Sequence, residues 1–155
     1  MTPQNKKRSA IGGLVVSASL LVTVAMNEGY KGQAYIPVKG DRPTIGFGQA
    51  DGVRMGERTD PVRALITLEN DLEGRKAQLA KLINVPLTQG EMDAYLDLAY
   101  NIGLNNFASS TLLKKLNAKD YQGACQEILK WDRFHGRPLA SLEARRQREY
   151  QECIQ

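Results

Sequence analysis

The pattern of apolar and polar positions predicts a mainly helical chain. From Asp60 onward, apolar residues recur at the three- and four-residue spacing of amphipathic helices. Asp60 is a favourable N-cap, Pro61 suits the first helical position, and Pro86 closes the helix that they begin. Residues 88–91 are a capping-box sequence for the next helix, which Gly103 ends. Two successive helices are therefore predicted in the middle of the chain.

Three further helices are predicted toward the C-terminus. One begins near Ser110, one spans residues 120–131, and the last begins at Ser141 after a polar loop. No internal repeat and no low-complexity linker separates them. Together with the earlier helices they predict a helical lobe.

A short β-hairpin is predicted ahead of this lobe, within residues 33–48. The stretches AYIPV and TIGFG are its strands, and residues 39–43 are its turn. Pro37 restricts the first strand to an edge or a bulge, because proline has no backbone N–H to donate. The hairpin beside the helical lobe predicts an α+β fold, with residues 27–155 as one domain.

An uncharged apolar segment, residues 10–26, precedes the hairpin and follows the basic residues Lys6, Lys7 and Arg8. As a helix it would reach roughly 25 Å, short of the ~30 Å hydrocarbon core of a bilayer. Small and hydroxyl residues also dilute its apolar character. The basic flank predicts a cytoplasmic N-terminus with the rest of the chain outside. Residues 1–26 are therefore predicted as a basic flank and an apolar signal-anchor helix.

The residues alone leave four interpretations of this segment open. It is a cleaved signal peptide, a stable anchor, a marginal anchor that can leave the bilayer, or a buried helix of a cytoplasmic protein. Cleavage after Ala25 would leave only Met26 and Asn27 ahead of Glu28. The basic flank and the absence of a polar stripe argue against the buried helix.

Composition and charge favour a single domain with an anionic partner. The chain has 155 residues and a net charge of +4. A cell-wall polymer, a membrane surface and nucleic acid all suit that charge. The basic cluster of Arg145, Arg146 and Arg148 is interpreted as the solvated face of a helix rather than as a nucleic-acid site.

Carboxylates are the candidate catalytic groups. His135 is the single histidine, in a polar loop, and no Cys/His cluster is present, so we expect no metal, no cofactor and no catalytic triad. Glu28 lies where the apolar segment meets the hairpin, and apolar surroundings keep a carboxyl protonated, as a general acid requires. Asp41 and Thr44 are hairpin groups that could face it across a cleft. Such a set is the minimum for cleaving a glycosidic bond.

The two cysteines, Cys125 and Cys153, fall on two of the predicted helices. A disulfide between them suits an exported domain, because disulfides persist in oxidising compartments. Two free buried thiols are the alternative.

Four ordered motifs resemble the phage-type lysozymes, the muramidases related to T-even phage lysozyme. NEG…AY…PTIGFG is similar to their catalytic opening, VPLTQGEMDAYLDLAYNIG to their central helix, FASSTLLKKLN to the next segment, and ILKWDRFHGRPLASLEARRQRE to their C-terminal helices. The N-terminus resembles that of the signal-anchor-release endolysins, which are held inactive in the inner membrane and leave it on depolarisation.

The resemblance implies a lysozyme-like fold and cleavage of the β-1,4 bond between N-acetylmuramic acid and N-acetylglucosamine. Glu28 matches the family's general acid, and Thr44 matches the threonine that helps to hold the attacking water. The family's aspartate would fall at Pro37, which makes Asp41 the nearest substitute. Gln49 stands where a histidine often follows the TIGxG strand.

The expected protein is therefore a monomeric phage endolysin that acts on peptidoglycan and has no nucleic-acid partner. Residues 10–26 would hold it in the host inner membrane until its release to the periplasm. A lytic transglycosylase is one alternative, in which Glu28 acts alone and the sugar's own hydroxyl closes an anhydro ring. A non-catalytic, membrane-tethered peptidoglycan-binding protein is another. A hole-forming protein is disfavoured by the large helical body.

Overall fold

The computed structural model describes residues 6–155, which fall into two compact units. One unit is Val16–Gly74, and the other joins the described residues up to Val15 to Arg75–Gln155. The chain passes between the units twice, once after Val15 and once after Gly74, inside one long helix. Each unit combines helices with a two-stranded antiparallel sheet, so the predicted α+β class is confirmed.

Local capping interactions start several helices where the sequence predicts them. Thr88 and Glu91 form a capping box, and the side chains of Ser110 and Asp120 each accept a backbone hydrogen bond at a helix start. The fourth helix is short and was not predicted, because the loop after Gly103 carries no strong helix signal. The helices, in chain order, are α1 Ala18–Glu28, α2 Pro61–Leu79, α3 Gln89–Ile102, α4 Leu104–Ala108, α5 Thr111–Asn117, α6 Tyr121–Ile128 and α7 Ala140–Ile154.

The predicted continuous apolar helix over residues 10–26 is wrong for this structure. Ile11–Gly13 forms a single 3₁₀ turn that contains two glycines, which weaken helices. Helix α1 begins only at Ala18, because the Ser17 side chain accepts a 3.0 Å hydrogen bond from the Leu20 N–H as an N-cap. Among the described residues, no helix combines the length and the hydropathy needed to cross a bilayer.

The first hairpin pairs β1, Lys31–Tyr35, with β2, Thr44–Gly46. Its first strand both begins and ends three residues earlier than predicted, and its second strand is two residues shorter. Ile36 and Pro37 are exposed in the loop that follows, since proline cannot continue the ladder. The sheet is therefore smaller than the sequence pattern indicates.

A second hairpin lies where the sequence predicts only a loop. It pairs β3, Arg133–Phe134, with β4, Arg137–Pro138. His135 and Gly136 form its two-residue turn with φ values of 48° and 76°. This positive-φ pair suits a tight hairpin turn, but strands this short leave no alternating pattern to read.

The unit that ends the chain is built around α3, whose residues from Glu91 to Ala99 are all buried. Helix α3 packs on α7, and α6 packs on both α5 and α7. A disulfide joins Cys125 on α6 to Cys153 near the end of α7, with their Cα atoms 5.7 Å apart. Of the two sequence alternatives for these cysteines, the structure has the bonded pair.

The solvated face predicted for the arginine cluster of α7 is wrong for two of its three members. Arg145 is 7% exposed and Arg146 is 1% exposed, while the third arginine faces solvent. Arg145 Nη2 donates to Asp97 Oδ1 at 2.6 Å. Arg146 Nη2 donates to Asn101 Oδ1 at 3.0 Å and to Glu149 Oε1 at 2.8 Å. The arginines are buried because α3 supplies acceptors opposite them.

Candidate active site

Helix α1 carries Glu28 as its last residue. Leu20, Val24 and Ala25 on this helix are buried, while Glu28 is exposed at its end. Gly29 ends the helix with a φ of 72°, and its N–H donates to the Ala25 carbonyl oxygen at 3.0 Å. The predicted position of Glu28, between an apolar helix and a hairpin, is the one observed, but the side chain is not enclosed.

Thr44 opens strand β2 and is 7% exposed. It pairs with Tyr35, while Gly46 pairs with Lys31, so β1 has two more residues than β2 across the same interval. The pairing of the two strands is therefore irregular between these positions, as at a β-bulge. The Thr44 hydroxyl donates to the Arg42 carbonyl oxygen at 3.3 Å, which fixes it at the start of the strand.

A tight turn follows Thr44, held at its ends by Ile45 and Gln49. Their backbones exchange two hydrogen bonds of 2.9 and 3.0 Å. The Gln49 side chain closes the turn by accepting from the Phe47 N–H at 2.8 Å. A Cβ on Gly48, where φ is 93°, would lie only 3.6 Å from Glu28 Oε2. The turn backbone therefore runs alongside the Glu28 carboxylate.

Asp41 lies in the exposed loop between the strands of this hairpin. Its N–H donates to the Val38 carbonyl oxygen at 2.9 Å, which closes a turn. The residue is exposed, whereas Thr44, three positions on, is buried in β2. Pro37 is in the same exposed loop. Glu28 and Thr44 thus belong to regular elements, the end of α1 and the start of β2, whereas Asp41 lies on a loop.

Sequence reasoning missed two contributors to this region. In the sequence Gln49 stands out only as a replacement for histidine, yet its 7% exposed side chain organises the turn beside Glu28. The Tyr30 ring packs at a tilt against that of Phe47, with centroids 5.5 Å apart, and its hydroxyl donates to the Thr59 carbonyl oxygen at 3.0 Å. The spacing of glycines around Phe47 was the available signal, because such spacing marks a close backbone turn.

The remaining sequence candidates lie elsewhere. His135 is exposed at the tip of the second hairpin, as expected of a surface histidine. Within residues 6–155, no group of histidine, cysteine, aspartate and glutamate side chains has the arrangement of a metal site. The polar groups that the hairpin region presents include the exposed Glu28 carboxyl group and the buried Thr44 hydroxyl.

A helix that ends in a glutamate, a small hairpin after it and a mainly helical remainder are the features of a lysozyme-like α+β fold. A family model described as phage lysozyme matches residues 25–149. The chain therefore belongs to the phage lysozyme family.

Individual relatives agree with this family. The endolysin of Acyrthosiphon pisum secondary endosymbiont phage 1 is 38% identical over 138 residues, covering 86% of this chain and 94% of the relative. The SAR-endolysin of Enterobacteria phage P21 is 31% identical over 161 residues, covering 99% of this chain and 98% of the relative. A crystal structure of a P22 lysozyme mutant has a TM-score of 0.81 at 32% identity, covering 92% of this chain and 99% of that one.

Proposed function

We propose that this protein opens the bacterial cell wall in phage lysis with Glu28 as its general acid. As a member of the phage lysozyme family with endolysins among its relatives, it is a peptidoglycan-cleaving muramidase. It cleaves the β-1,4 bond between N-acetylmuramic acid and N-acetylglucosamine. One observation supports this role for Glu28. It is the last residue of α1, and its carboxylate lies beside the turn that follows Thr44.

The proposed mechanism uses one proton donor and one water. Glu28 protonates the glycosidic oxygen as the bond to the anomeric carbon breaks. Thr44 and Asp41 orient a water for attack from the opposite face, and Asp41 accepts its proton. This route inverts the anomeric carbon and needs carboxyls about 6.5–9.5 Å apart.

A lytic transglycosylase is the second candidate, and the place of Asp41 favours it. Pro37 occupies the position of the family's aspartate, and Asp41 lies on an exposed loop rather than on a strand. Without a second carboxylate, Glu28 first donates and then accepts a proton. The 6-hydroxyl of the muramic acid then closes the ring in place of water, giving an anhydro product lighter by one water.

Variants assayed on isolated cell walls test these roles. Glu28→Gln keeps the shape but removes the proton, and we expect clearing to fall by roughly 10²–10⁴-fold. Asp41→Asn should lower turnover strongly if Asp41 accepts the proton from water. Glu69→Gln, an exposed glutamate on α2, is the matched control. Near-normal clearing by Glu28→Gln with an unchanged thermal transition contradicts the assignment. Mass spectrometry of the products separates reducing ends from anhydro ends.

We also propose that residues 1–26 anchor the new protein in the host inner membrane, with residues 27–155 as the catalytic domain in the periplasm. The first five residues lie outside the described part of the chain. Support comes from the uncharged segment 10–26, its basic flank and the full-length similarity to a SAR-endolysin. The segment ends just before Glu28, so anchoring would hold the general acid at the membrane surface. Release would let residues 18–28 form α1.

A further inference from the structure

Residues 6–11, the docking arm, lie along the unit that contains α3. Ser9 and Leu87 exchange two backbone hydrogen bonds of 2.8 Å each, as in a short antiparallel ladder. Ile11 is 6% exposed. Lys6 Nζ donates to the carbonyl oxygen of Ile154 at 2.5 Å. Backbone pairing, apolar burial and a charged end contact therefore all hold this arm in place.

Arg8 makes the most specific contact of the docking arm. Its Nε and Nη2 donate to the two carboxylate oxygens of Glu91 at 3.0 and 2.6 Å. The guanidinium also stacks on the ring of Tyr121, 3.7 Å from its centroid. A fork-shaped pair combined with stacking is geometry that arginine provides and lysine does not.

The Glu91 carboxylate requires a compensating partner because its side chain is only 2% exposed. One of its oxygens also accepts from the Thr88 N–H at 2.9 Å, within the capping box that starts α3. A buried carboxylate is costly unless a cation and hydrogen bonds compensate it. Arg8 supplies that positive charge. Its hydrogen bond to Glu91 in turn raises the pKa of Arg8.

We propose that Leu87, Glu91 and Tyr121 form a receptor slot for the basic flank, and that the slot fills only after the flank has crossed the membrane. This inference rests on the membrane-anchored form proposed above. While residues 10–26 span the bilayer, Arg8 lies on the cytoplasmic side and Glu91 on the other. Docking is then available to the released form alone, and it shifts the population toward release. The flank that sets the topology becomes a ligand of the folded enzyme.

Amide hydrogen exchange on purified full-length protein tests the docking itself. Arg8→Gln and Glu91→Gln should each speed exchange at Ser9 and Leu87 by on the order of tenfold or more, because each leaves one partner of a part-buried pair uncompensated. Lys7→Gln changes the charge of the same flank at an exposed residue and should leave these rates unchanged. Unchanged exchange in Arg8→Gln overturns the proposal. So does faster exchange in Glu91→Gln alone, which would reflect the helix cap.

Release in cells tests the coupling to the membrane. Arg8→Lys preserves the charge of the flank but not the fork, and Lys7→Arg is its matched control. Both should fractionate with membranes like the parent before an uncoupler is added. Afterwards, the released fraction of Arg8→Lys should fall severalfold below that of Lys7→Arg and the parent.

Equal release of all three proteins overturns the inference. A parent that is never found in the membrane fraction overturns it as well and removes the anchored form, but the muramidase assignment, tested by Glu28→Gln, would stand.

Discussion

At the scale of single residues, the turn beside Glu28 is packed so closely that Gly46 has no room for a side chain. A Cβ on Gly46 would lie 2.5 Å from Gln49 Oε1 and 3.1 Å from the Cβ of Ala64. The φ of Gly46 is 66°, in the left-handed region that side chains rarely adopt. Gly46 therefore carries two constraints, one of conformation and one of space. The amide of Gln49 fills the volume that the glycine leaves.

Gly46→Ala should therefore be strongly destabilising. We expect a loss of about 2–4 kcal/mol, from the left-handed conformation and from the displaced Gln49 amide. Gly52→Ala is the control, because φ there is 73° but nothing lies within 4 Å of the added Cβ. Denaturant unfolding of both variants separates the two costs. Equal losses would show that the space around Gly46 does not matter.

At the scale of elements, the N-terminal segment is divided at Ser17. The side chain of Ser17 starts α1, which ends at Glu28, while the 3₁₀ turn before it belongs to the docking arm's unit. Ser17 therefore stabilises the helix that carries Glu28, the proposed general acid. Gly12, Gly13 and Ser19 are exposed and make no such contribution, and a Cβ on either glycine would meet open space.

This division identifies the residues at which the proposed anchor can be strengthened without damage to the folded enzyme. Leucine at Gly12, Gly13 and Ser19 raises the hydropathy of residues 10–26 and leaves the Ser17 cap intact. After an uncoupler is added, we expect this variant to stay in the membrane fraction and cells to lyse late or not at all. A variant with alanine at the three positions controls for the loss of glycine. Parent-like release and lysis by the leucine variant, or a parent found cleaved after Ala25, would refute the anchor model.

At the scale of the whole molecule, a net charge of +4 favours an acidic polymer such as the cell wall. Its global stability also depends on a charge cluster buried between α3 and α7. Burial, and then the neighbouring charge of Asp97, raise the pKa of Glu149 from 4.5 to about 8, although Arg145 and Arg146 oppose the shift. The folded protein therefore holds a proton that the unfolded chain releases near pH 4.5.

Stability should consequently fall as the pH rises from about 5 to 8. A raised folded-state pKa contributes stability that is complete below the unfolded value and is lost as the pH passes the folded value. The slope from this group is at most about 1.4 kcal/mol per pH unit. Glu149→Gln should remove this part of the slope, whereas Glu143→Gln, exposed on the same helix, should keep it. Parallel curves of unfolding free energy for the parent and Glu149→Gln would contradict the prediction.

The sequence by itself determined what depends on neighbours in the chain. The capping box at Thr88 and the caps at Ser110 and Asp120 were readable because their hydrogen bonds close within three residues. The position of Glu28 between an apolar helix and a hairpin could also be predicted, because both elements adjoin it in the chain. The ordered motifs indicated the family, which the match over residues 25–149 confirmed. The roles of Glu28, Thr44 and Asp41 remain predictions.

Only the tertiary structure decided what depends on partners far along the chain. Arg8 is 83 positions from Glu91, and Arg145 is 48 positions from Asp97, so no local pattern distinguishes these arginines from solvated ones. The irregular pairing of β1 likewise arises where its register with β2 outweighs the local alternation of the strand. The sum of such contacts, rather than the hydropathy of residues 10–26, determines the conformation of the N-terminal segment in the folded protein.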